Sequence, residues 1–244
     1  MAWSNQSTRH NAWELFGIPI HIDRSWFVIF TFMTWSLGSS YFPVRYPGLA
    51  AHVYAGMGGA AALLLFLCVL LHELGHSLVA KAYGIPVLRV TLFIFGGVAQ
   101  IATDPRRPAV ELMIALAGPL VSGLLAGGCF AASQVLFLQS PLRLVTTALL
   151  GYLTTINLGI LFFNLLPGFP LDGGRMLRAL LWAGTGSLRR ATRIASILGA
   201  VLGVGLLALG VWGAITGAWG VGLWYLLLGF FLRNAALASY RRAG

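Results

Sequence analysis

The chain has 244 residues, of which 58% are apolar and only 9% charged, and its formal net charge is +10. A water-soluble domain carries about 25% charged residues, so this composition excludes a soluble globular surface. The basic residues lie between apolar runs rather than on one face, which argues against nucleic acid as a partner.

Residues 1–24 are polar overall and lack the continuous apolar core of a signal peptide. Trp13, Leu15, Phe16, Ile18 and Ile20 alternate there with polar residues and Pro19. This pattern predicts a lead-in lying at the membrane interface. Six apolar spans are expected, roughly 25–41, 54–79, 109–138, 144–166, 191–213 and 218–232, each near the ~20 residues that cross a bilayer. The 31 glycines suit close helix packing in lipid. Pro43 and Pro47 fit a connection after the first span. After the second, Val87 to Phe95 is β-branched and aromatic, Gly96-Gly97 breaks it, and Val98 to Ile101 resumes it. A β-hairpin over 87–101, broken at the glycine pair, accounts for this better than a seventh short helix.

Glu111 and Gly118-Pro119 fall in the third span, Asn157 and Asn164 in the fourth. Glu111 reads as a structural or interfacial carboxylate and Asn157 as a helix–helix contact. A loop then leads through Pro167 and Pro170 to Leu171-Asp172-Gly173-Gly174, and a short amphipathic helix is expected over 175–182. Arg175 and Arg178 read as lipid-facing or topological charges. Trp212, Trp219 and Trp224 read as an interfacial belt. Cys68 and Cys129 fall within spans, as small packing residues.

The six-span reading puts fourteen of the sixteen Lys and Arg on one side and only Arg45 and Arg143 on the other. The positive-inside rule makes the rich side, with both termini, cytoplasmic. The expected architecture is therefore an all-α polytopic membrane protein. It has about six transmembrane helices and a small membrane-associated β-hairpin or sheet after the second helix. Residues 1–244 are read as a single domain with no C-terminal regulatory domain. The lack of a targeting peptide favours a prokaryotic cell (inner) membrane.

His72-Glu73-Leu74-Gly75-His76 closes the second span, after an uncharged run from Tyr54 to Leu71. Histidines at i and i+4 share one helix face and can reach one metal. A neighbouring glutamate can act as general base on a metal-activated water. The chain has only six acidic residues, and an ionisable group at membrane depth is a functional candidate by default. A catalytic zinc takes three protein ligands and keeps one position open. Of the other histidines, His10 and His21 lie in the lead-in and His52 on the outer side. Asp172 is the best third ligand: it is on the inner side, and its glycines let the backbone turn sharply.

His72 to His76, followed in order by Asn164-Leu165-Leu166-Pro167-Gly168-Phe169-Pro170-Leu171-Asp172-Gly173-Gly174-Arg175, resembles the site-2 protease family of intramembrane zinc metalloproteases. The segment Phe16-Gly17-Ile18-Pro19-Ile20-His21 and the Gly96-Gly97 hairpin resemble its bacterial and archaeal branch. The resemblance covers about residues 13 to 240. Many members of that branch carry paired cystathionine-β-synthase domains after the last span, and this sequence stops before any. The resemblance implies one Zn2+ per chain, bound by His72, His76 and Asp172. It implies that Glu73 takes a proton from the zinc-bound water and later passes it to the leaving amine. It also implies that Asn164 donates a hydrogen bond to the substrate carbonyl or its oxyanion. The implied substrate is a membrane-anchored protein with a transmembrane helix, cut near the cytoplasmic face in regulated intramembrane proteolysis.

A membrane zinc transporter or sensor is a competing function, but spans 1, 2, 5 and 6 offer almost no ionisable path beyond the site. An inactive scaffold of the same fold is another, and the intact Glu73 argues against it.

Overall fold

The computed structural model describes residues 13–135 and 141–242. Arg9, His10 and the end of the third expected span, residues 136–138, lie outside the described residues. Among the described residues, six helical segments are long and apolar enough to cross a membrane: Arg24–Arg45, Ala51–Ala82, Pro108–Val135, Leu142–Asn164, Leu188–Ile215 and Trp219–Arg241. The chain divides into two compact units, Met1–Thr103 and Asp104–Gly244.

The described part of the amphipathic lead-in forms two strands, which its sequence pattern did not specify. β1 (Trp13–Leu15) and β2 (Ile18–Ile22) pair antiparallel around Phe16-Gly17. Both turn residues have positive φ, 55° and 70°, the conformation that matches the twist of a two-residue hairpin. Lys81 Nζ donates to the Phe16 carbonyl at 2.8 Å and pins the turn. β2 then runs parallel to β3 (Val87–Phe93), and β3 pairs antiparallel with β4 (Gly96–Ile101). The result is a four-stranded sheet in the order β1-β2-β3-β4, so β4 is an edge strand. The expected hairpin is present, but its turn is Ile94-Phe95, and Gly96-Gly97 already belong to β4.

Ile18, Ile20 and Val90 are buried together with Leu74, and Leu70 and Leu71 pack against them. The strand residues alternate with exposed or half-buried neighbours, the period-2 signature of a sheet with one covered face. Leu70, Leu71 and Leu74 come from α3 (Ala51–Ala82), the helix that carries the His-Glu-x-x-His motif.

α1 (Arg24–Ser36) is capped by Asp23, whose Oδ1 accepts from the Ser25 backbone N–H at 2.9 Å and from the Ser25 hydroxyl at 2.6 Å. These bonds hold the Asp23 carboxyl below its ordinary range. Ser25 Oγ also accepts from the Ile94 N–H at 3.2 Å, which ties the start of α1 to the β3–β4 turn. Beyond α1 the chain stays helical through a π-turn (Leu37–Tyr41) and α2 (Phe42–Arg45). Pro43 therefore sits inside a helix, not in the expected loop. The π-turn immediately before it is the kind of helix irregularity that accompanies a proline lacking its N–H.

The second unit is helical: α4 (Pro108–Val135), α5 (Pro141–Asn164), α6 (Asp172–Thr185), α7 (Leu188–Ile215) and α8 (Trp219–Arg242). α4 packs on α5 and α6, α6 on α7, and α7 on α8. α7 and α8 approach through glycines; a Cβ added at Gly203 would lie 2.7 Å from the Arg233 backbone nitrogen. α8 extends some ten residues past the expected end of the last span. The added turns, rich in Ala and Arg, favour helix, and Ala236 among them is fully buried.

The short helix is longer than expected and starts at Asp172 itself, so Asp172 is the first residue of a helix rather than a loop residue. Gly173 and Gly174 do not turn the chain sharply, because neither has a positive φ. They are needed for close packing: a Cβ on Gly173 would strike the Leu165 carbonyl, and one on Gly174 the Gly168 carbonyl.

Candidate active site

α3 brings the two motif histidines onto one buried face. His72 and His76 are 3% and 5% exposed, and their Nε2 atoms face one another at 3.2 Å. Two nitrogens each about 2.0–2.1 Å from one tetrahedral zinc are about 3.3–3.4 Å apart. The pair is thus spaced as zinc ligands need to be, and two imidazoles with a carboxylate make a common catalytic zinc donor set.

Glu73 is half-buried beside them. Its Oε2 accepts from the Ala99 backbone N–H at 3.0 Å. Ala99 lies on β4, whose far edge carries no paired strand among the described residues. The carboxylate is therefore held by the free edge of the sheet. Gly97 makes this approach possible, since a Cβ there would lie 2.6 Å from Glu73 Cγ. Sequence reasoning read the glycine pair as a turn and missed this role; only the packing of β4 on α3 reveals it. Gly97→Val should push Glu73 out of place while leaving the spans intact. A displacement of about 1 Å at a reacting group can cost about 100-fold in rate. A loss of kcat/KM of that order, with secondary structure by circular dichroism unchanged, is the expected result.

The second unit holds the other two predicted site residues. Asp172 is 8% exposed at the N-terminus of α6, where the helix dipole favours negative charge. Its backbone is fixed from both sides. The Phe169 N–H donates to the Ala195 carbonyl of α7 at 3.0 Å, and the Gly174 N–H to the Leu171 carbonyl at 3.0 Å. Gly199 of α7 admits this loop, because a Cβ there would collide with the Phe169 carbonyl. Asn164, the last residue of α5, donates through Nδ2 to the Ile160 carbonyl of its own helix at 3.0 Å. A side-chain amide has two N–H donors, so one further bond is open to it.

The remaining histidines lie elsewhere. His21 is exposed on β2, and His52 is exposed in the first turn of α3. Twenty residues of helix place His52 about 30 Å from His72. Cys68 is buried in α3 and Cys129 half-buried in α4.

Arg178 is not the lipid-facing or topological charge that its sequence context implied. Its side chain is 12% exposed and forms an ion pair with Glu111, which is 1% exposed. The guanidinium also lies over the Phe169 ring, 4.9 Å from its centroid.

Six long apolar helices, an edge strand against a His-Glu-x-x-His glutamate, and a later buried aspartate define a polytopic membrane protein of the metallopeptidase class. The sequence model of Peptidase family M50 matches residues 60–142 and 137–206, and the chain belongs to that family. The resemblance to site-2 proteases holds in three dimensions. The site-2 protease from Methanocaldococcus jannaschii superimposes with a TM-score of 0.60 at 28% identity, covering 94% of each chain. A relative from Synechocystis, named as a zinc metalloprotease, is 40% identical over 230 residues, which is 94% of this chain and 59% of that protein. A zinc metalloprotease of M. jannaschii is 41% identical over 149 residues, 61% of this chain and 42% of that protein. The chain thus spans little more than half the length of the longer-matching relative, and less of the other.

Proposed function

We propose that the protein is a zinc-dependent intramembrane endopeptidase in which His72, His76 and Asp172 bind the metal and Glu73 is the general base. One observation carries this reading: Glu73, flanked by two imidazoles spaced for zinc, is anchored to the N–H of an edge strand. Bound zinc would supply a Lewis acid that polarises the scissile carbonyl and makes the attacking water acidic near neutral pH. Glu73 then takes the proton from that water and returns it to the leaving amine. Ala99 orients the carboxylate through Oε2. Asn164 is proposed to give its second amide N–H to the developing oxyanion.

A transmembrane helix hides its carbonyls in internal hydrogen bonds, so the substrate must be locally extended before attack. An extended segment can add to the free edge of β4, which would lay its backbone beside Glu73. The proposed substrate is a membrane-anchored protein with a transmembrane helix, cut near the cytoplasmic face to release a regulatory domain. The charge bias of the loops supports cytoplasmic termini in a prokaryotic inner membrane.

Purified protein in detergent, incubated with a panel of single-span substrates, tests this. Mass spectrometry should place the cut within or beside the span, towards its cytoplasmic end. Cleavage confined to soluble peptides would contradict the reading. Zinc binding without any cleavage would favour metal handling, which zinc flux into vesicles would measure.

A further inference from the structure

We infer that the Glu111–Arg178 ion pair is a positioning device for the zinc ligand Asp172. This rests on the assignment of Asp172 as a ligand. Arg178 lies on α6, six residues after Asp172, and reaches two partners at once. Its Nε and Nη2 meet Glu111 Oε1 on α4, and its guanidinium plane covers Phe169. Phe169 belongs to the loop that delivers Asp172, and its backbone is bonded to α7. One side chain thus fixes α6 to α4 and to the segment immediately before the ligand.

Stability does not account for such a pair. Taking two charges out of water costs about as much as their attraction returns, and apolar replacements of similar size are often neutral or better. Glu111 Oε2 is buried with no hydrogen-bond partner among the described residues, so the pair is not even fully satisfied. What the fork does supply is direction: a planar guanidinium against a carboxylate on one side and a ring on another permits few orientations of α6. Asp172 sits less than two turns away, on the same short helix. Arg178 and Glu111 are positioning residues, acting through the helix that bears the ligand.

The test uses the purified zinc-loaded protein and chelator competition to read zinc affinity, with thermal unfolding measured in parallel. The double variant Glu111→Leu with Arg178→Met removes both charges together and leaves neither unpaired. It is expected to unfold near the wild-type temperature yet bind zinc about 10–100-fold more weakly, the usual cost of losing a group that orients a ligand. Arg178→Lys keeps the charge but not the planar fork, and is expected to weaken zinc binding to a lesser degree. It decides the matter should the double variant fail to fold. Wild-type affinity in the folded double variant, or in Arg178→Lys, would overturn the inference. Asp172→Ala serves as the reference. If it too kept wild-type affinity, the ligand assignment would fail and this inference with it. If it lost zinc while the pair variants did not, only the positioning role would fail.

Discussion

Glu73→Gln should retain zinc and lose cleavage. Glutamine is nearly isosteric, and its amide oxygen can still accept from the Ala99 N–H that now meets Glu73 Oε2. The histidines and the β4 edge therefore keep their places, and the metal donor set is unchanged. Only the ability to take and return a proton disappears. General acid–base catalysis contributes about 100- to 10,000-fold, which at about 1.4 kcal/mol per factor of ten is roughly 3–5 kcal/mol of barrier. The expected result is a fall in kcat of that order, with zinc content by elemental analysis equal to that of wild type. Cleavage at the wild-type rate would remove Glu73 from the mechanism.

Asp172→Ala should act on the metal itself. Removing a ligand carboxylate takes away a direct bond and a negative charge, so its effect should exceed the roughly 10–100-fold lost when an outer-shell partner is removed. The fold should survive, because alanine is well tolerated in the first turn of a helix. The neighbouring contacts of Gly168, Gly173, Gly174 and Gly199 involve backbone rather than the carboxylate. Zinc content near zero after dialysis, together with a wild-type gel-filtration profile, is the expected pair of readings. Full zinc occupancy would move the third ligand elsewhere.

These two variants separate roles that the sequence assigned through motif spacing, topology and family resemblance. His72 and His76 were legible because a helix places i and i+4 on one face, and the uncharged run before them marked a membrane span. The β-branched run at 87–101 announced strands. What a linear reading could not weigh was tertiary proximity. Gly96-Gly97 looked like a turn, since glycine pairs often are turns, but a strand passing over Glu73 also demands a missing side chain. The strands in the lead-in around Trp13 to Ile20 were not legible, since the partner of β2, β3, lies about seventy residues away. Arg178 looked like a lipid-facing or topological charge because its partner Glu111 is 67 positions distant. Asp172 was singled out as a candidate ligand, but its place at a helix start was hidden by glycines that signal loops in isolation. Here those glycines serve packing against the preceding carbonyls.

The central claim is that a zinc held by this chain drives peptide hydrolysis in or near a membrane span. The most direct measurement follows cleavage of a single-span model substrate by purified protein in detergent, before and after a strong chelator, and again after zinc is restored. Activity lost with the metal and recovered on adding about one zinc per chain is the predicted result. Cleavage that continues at full rate in the chelated, zinc-free protein would contradict it.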